Sequence, residues 1–126
     1  MSATPDPLTP DLEDAERIRG AAGPGPVVMV NLLKFKADGG RDAFGSYGGV
    51  TGPLLAKTGG EMLYSGEAGP VLAGAEDWDM VALVRFPSID RFMELLTDPV
   101  YQSEGRKHRE AALERTIWMV SYPHGG

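Results

Sequence analysis

Val27-Val-Met-Val-Asn-Leu-Leu-Lys-Phe35 is the stretch that decides the fold. It is rich in β-branched and aromatic side chains, and it lies between Pro26 and the turn-forming Ala37-Asp-Gly-Gly40, which marks it as a strand. A strand with one face in water alternates apolar and polar residues. Here Val27, Met29, Leu33 and Phe35 fall on one side and Val28, Val30 and Leu32 on the other. Both faces of the sheet built on this strand therefore need a cover.

Downstream, residues 41–58 repeat apolar groups at Phe44, Tyr47, Thr51, Leu54 and Leu55, a helical spacing. Gly45, Gly48, Gly49 and Gly52 each weaken that helix by about 1 kcal/mol relative to alanine. Pro53 also removes a backbone donor, so a bent or interrupted helix is expected. After Gly59-Gly60 a second strand is expected over residues 61–67, then a loop over 68–77. The third strand, 78–86, is again apolar on both sides and is stopped by Pro87. Ser88 caps a helix carrying Ile89, Phe92, Met93 and Leu96 on one face. Asp98-Pro99 restarts it, and the new piece puts Tyr101, Gly105, His108 and Ala112 on one stripe. A fourth strand over 115–122 ends at Pro123.

Upstream, residues 1–26 form a Pro/Gly-rich leader with one short helix, capped by Thr9, with Leu12, Ala15 and Ile18 as a weak apolar face. Residues 27–126 form a single domain. The order strand, helix, strand, strand, helix, strand is the ferredoxin-like βαββαβ pattern, an α+β fold with a four-stranded antiparallel sheet and both helices on one face. Two helices shield one face only. The other calls for a second copy of the chain, a homodimer, or else for the leader helix folded over it.

The composition of the 126 residues, 42% hydrophobic and 24% charged, suits one packed core. The net charge of −6 repels phosphate backbones and anionic lipid, so neither nucleic acid nor membrane is an expected partner. The absence of cysteine excludes disulfides, thiolate catalysis and Cys-based metal centres. The amino terminus lacks the basic and apolar run of a secretory signal, so a cytoplasmic location is expected. No phosphate loop, GxGxxG, nucleophile elbow, HExxH or EF-hand pattern occurs, and no cofactor or metal is expected.

The runs Val30-Asn-Leu-Leu-Lys-Phe35, Gly59-Gly60, Trp78-Asp79, Arg85-Phe-Pro-Ser88, Asp98-Pro-Val-Tyr101 and His108-Arg-Glu-Ala-Ala-Leu113 resemble the domain-of-unknown-function 1330 family. That family belongs to the dimeric α/β-barrel superfamily, which also contains the antibiotic-biosynthesis monooxygenases. The resemblance spans about residues 27–123 and implies a dimeric α/β barrel. It also implies a cofactor-independent monooxygenase or isomerase-like enzyme acting on a small organic molecule. The alternative is a non-catalytic dimeric module that binds a small molecule or a partner.

Four residues are candidates for catalysis. Asn31, the chain's single asparagine, interrupts an apolar strand, and a buried amide must find a partner or cost about 1–3 kcal/mol. It serves either a ligand oxygen, as a strand asparagine does in some monooxygenases of the superfamily, or a structural bond. Tyr47 sits among the helix glycines, whose backbone either approaches a ligand or packs tightly on the sheet. Arg85 offers a fork for a ligand carboxylate or for an acidic neighbour. His108 has the intrinsic pKa for proton transfer, or else pairs with Glu104 four residues earlier. Tyr64, Trp78, Tyr101 and Arg109, with Trp118, are candidates to line the pocket.

Overall fold

A computed structural model describes residues 7–124. Helix α1 (Leu12–Ala21) precedes strand β1 (Val27–Phe35), helix α2 (Gly40–Lys57), strands β2 (Glu61–Glu67) and β3 (Met80–Phe86) and helix α3 (Ile89–Leu96). A π-helical turn, Tyr101–Gly105, runs into helix α4 (Arg106–Ala112), and strand β4 (Leu113–Ser121) closes the order. The four strands form one antiparallel sheet in the order β2-β3-β1-β4, the ferredoxin-like arrangement expected from the sequence. No helix among the described residues is long and apolar enough to cross a membrane.

The odd-numbered positions of β1, Val27 through Phe35, are all buried and carry the core with Phe86, Phe92, Met93, Leu96 and Tyr101. On the opposite face Val30 lies between Leu83 of β3 and Met119 of β4, flanked by Val28, Leu32, Val81 and Ile117. Met119 is 51% exposed and Ile117 40%. Among the described residues the leader helix lies on the other side. Helix α1 packs against α3, and Ala15 enters the core on the helical side.

Three local expectations are corrected. Asp11, not Thr9, caps α1, exchanging reciprocal bonds with Asp14 in a capping box, and Thr9 is buried elsewhere. Helix α2 runs unbroken through Gly45, Gly48, Gly49, Gly52 and Pro53. Burial of Tyr47 and Leu54 against the sheet outweighs the weak propensity, as packing usually does in a short helix. A Cβ built on any of the four glycines would meet nothing within 4 Å, so tight packing on the sheet is not why they are there. The third strand starts at Met80 because Asp79 is engaged otherwise, its amide bonding the Leu33 carbonyl at 2.8 Å and its carboxylate accepting from the Phe35 amide at 2.9 Å.

Gly40 is where α2 meets the end of α4. A Cβ there would sit 2.7 Å from the Ala112 carbonyl oxygen and 3.0 Å from the Phe35 Cβ. Helix propensity alone would favour alanine by about 1 kcal/mol. The clash is with backbone, which cannot swing aside, and overpacking of this kind costs about 1–3 kcal/mol. Gly40→Ala is therefore expected to lower the urea midpoint at unchanged slope, whereas an unchanged or raised midpoint would show that this contact is slack.

Candidate functional site

The π-helical turn sets the site. The Arg106 amide bonds back to the Tyr101 carbonyl, five residues earlier, so the turn is wider than an α-turn. The inward stripe becomes Tyr101, Gly105, Arg109 and Ala112, all buried, and His108 is carried off it. Gly105 is required for this: a Cβ there would lie 2.8 Å from the Tyr101 ring.

Arg109 is only 1% exposed. Its guanidinium lies between two rings, 4.2 Å from the Trp118 centroid and 5.3 Å from that of Tyr47. Nε donates to the Leu8 carbonyl at 2.8 Å, and Nη1 to the Tyr47 hydroxyl at 3.3 Å. Nη2 donates to Asn31 Oδ1 at 3.2 Å and to the Thr116 hydroxyl at 3.4 Å. Every acceptor is neutral, and among the described residues no carboxylate pairs with this cation. Removing an ion from water costs several kcal/mol, and stacking on an aromatic face returns roughly 1–2 kcal/mol. The cluster thus carries a positive potential that its own residues do not neutralise.

Arginine only donates, so the Asn31 oxygen must face Arg109 and the amide nitrogen is turned away. No hydrogen bond is made by that nitrogen among the described residues. Behind Tyr47 a chain of hydroxyls leads to the leader: Tyr47 to Tyr101 at 3.3 Å, and Tyr101 to Thr9 at 2.8 Å. Burial, with Tyr47 beside it, pushes the Tyr101 hydroxyl well above the usual tyrosine range despite Arg109 nearby, so it stays a neutral O–H. The indole nitrogen of Trp118 is buried and has no acceptor among the described residues.

These groups form the polar end of a cavity of about 130 Å³ between α2, α3 and the sheet. Asn31, Tyr47, Arg109 and Trp118 line it together with apolar walls such as Met29, Phe44, Leu55, Val84 and Phe92, and the bare backbone of Gly48. An apolar cleft with a few convergent polar groups is the usual form of a small-molecule site.

The candidates from the sequence divide. Asn31, Tyr47, Tyr101 and Arg109 are brought together. Arg85 is not, because it pairs in register with Val28 and Glu61 on the opposite face of the sheet. His108 lies 3.8 Å from Glu104 on the helix surface, the pairing that its spacing allowed. Tyr64 is 53% exposed on β2, and Trp78 lies under Arg115 outside the cavity. Thr9 and Thr116 join the cluster with no local signal in the sequence, since their partners are distant in the chain. Among the described residues no three His, Asp or Glu side chains are grouped as metal ligands.

A small ferredoxin-like domain with a pocket over its sheet is the class that this geometry defines. The chain belongs to the family described as Domain of unknown function (DUF1330), whose model matches residues 37–122. It is similar to the crystal structure of RPA0582, a protein of unknown function from Rhodopseudomonas palustris, with 30% identity and a TM-score of 0.82 over 94% of this chain and 98% of that one. The methylated form of RPA0582 matches at 32% identity and a TM-score of 0.81, covering both chains fully. A dimeric ferredoxin-like protein of unknown function from Bacteroides fragilis shares the fold at 18% identity and a TM-score of 0.52, over 78% of this chain and 96% of that one. A comparison with curated proteins found no match.

Proposed function

We propose that the protein is a homodimeric, cofactor-independent enzyme for a small organic molecule, with one pocket per subunit. The ligand's apolar body would fill the cavity, and one of its oxygens would meet Asn31 Nδ2 and Arg109. Placed there, these donors stabilise negative charge as it develops on that oxygen, and in a dry site such stabilisation is worth far more than in water. Tyr47, bonded to Arg109 and to Tyr101, is the group positioned to take or give a proton beside it. The observation that carries this reading is the buried Arg109, which has no carboxylate partner among the described residues, at the polar end of an otherwise apolar cavity. Pairing through the open sheet face is supported by its apolar residues and by the Bacteroides protein's description as dimeric.

The test uses acetophenone, a neutral ketone with an aryl body and acidic methyl protons. Amide spectra should show saturable shifts around Asn31, Gly48 and Arg109, and the methyl group should exchange with deuterium faster than in buffer. Exchange without oxygen uptake marks proton-transfer chemistry, and oxygen uptake marks monooxygenation. Saturable shifts with neither would turn the reading to a binding module, and no shifts at all would remove the pocket.

A further inference from the structure

Resting on that pocket, we infer that its natural ligand is an organic acid bound as the anion, a carboxylate on a compact apolar body about the size of a benzene ring. Three observations converge. Among the described residues Arg109 is buried with neutral acceptors only, so one unit of positive charge awaits a counter-ion; four of its five N–H groups are spent on those acceptors, and the one left on Nη1 is free for a carboxylate oxygen. Asn31 Nδ2 lies beside it, an amide donor in the wall of the same cavity, and the Trp118 indole N–H is a further buried donor that has no acceptor among the described residues. These are donors only, which suits an acceptor-only group. Finally, the cavity of about 130 Å³ is close to the roughly 150 Å³ apolar cavity that takes benzene in another protein.

The overall charge of −6 does not oppose this, because surface charges are screened within about 10 Å at ordinary ionic strength while a buried contact is screened far less.

The experiment titrates the full chain with benzoate, benzamide and toluene by calorimetry and amide spectra. Benzoate should bind saturably and at least tenfold more tightly than either neutral probe. Arg109→Gln should erase that margin while leaving toluene where it was. Gly48→Leu, which adds a side chain at the cavity wall without touching the polar cluster, should weaken all three, and it keeps the test open if Arg109→Gln does not fold. Neutral probes binding as well as benzoate would overturn the anion assignment and leave the pocket intact. No binding by any probe would overturn both.

Discussion

Val30→Arg should convert the protein from twice its chain mass to once in light scattering, without unfolding it. Val30 is the centre of the open face, on the inner strand β1, with Leu83 opposite on β3 and Met119 opposite on β4. In a two-fold contact between sheets every substitution enters twice. An arginine there would bring two cations into the middle of the contact, each with a desolvation cost of several kcal/mol. A loss of about 5 kcal/mol weakens association by three to four powers of ten, enough to dissociate a micromolar or nanomolar dimer at laboratory concentrations. The fold should survive because the core lies on the other face, around Met29, Leu33 and Phe86. A wild-type protein that is itself a stable monomer at micromolar concentration would refute the pairing outright. A substituted protein that stays dimeric would move the contact elsewhere.

How much of this was readable beforehand depended on whether the deciding interaction was local. Strand β1, Val27–Phe35, and strand β2, Glu61–Glu67, appear at the limits expected, because flanking Pro26, Gly59 and Gly60 and the β-branched runs act within a few residues. The surplus of apolar residues on β1 and β3 is likewise a property of composition, and the structure puts it on both faces. The misses are non-local. Thr9 was the expected helix cap, and its hydroxyl is instead bonded to Tyr101, 92 residues away, while Asp11 caps the helix. The wide turn at Tyr101–Gly105 has no sequence signature of its own. It moves the inward position by one residue, which is why a helical count pointed to His108 and the structure presents Arg109. Asn31 was conspicuous as a lone amide in an apolar strand. What it faces was not, since Arg109 lies 78 residues further on. Arg85 looked equally suitable from its neighbours, and the antiparallel register with Val28 placed it on the wrong side of the sheet.

Arg109→Met and Asn31→Leu together should give a protein more stable than Arg109→Met alone, although neither variant should bind benzoate. Methionine replaces the guanidinium between the Trp118 and Tyr47 rings with an apolar chain and removes a charge that has no carboxylate partner among the described residues. The acceptors it abandons fare differently. The Thr116 hydroxyl already donates to the Leu32 carbonyl at 2.6 Å, and Tyr47 keeps Tyr101. Asn31 Oδ1 loses its bond in a 7% exposed position, at a cost of about 1–3 kcal/mol. Leucine at 31 removes that stranded amide, so the second substitution should restore part of what the first takes. Asn31→Leu alone should instead destabilise by about 1.5–3 kcal/mol, the usual worth of a hydrogen bond to a charged group. The coupling energy in the double-mutant cycle, read from urea unfolding, should therefore be favourable and of order 1–3 kcal/mol. That sign reports only that the two groups depend on each other; a double variant at least as stable as the wild type would mark a polar pair that costs stability in the empty protein and is retained for what it holds. If the double variant is instead much less stable than either single, Arg109 and Asn31 are structural ties for the leader and β4, and the cavity beside them has no claim on their charge.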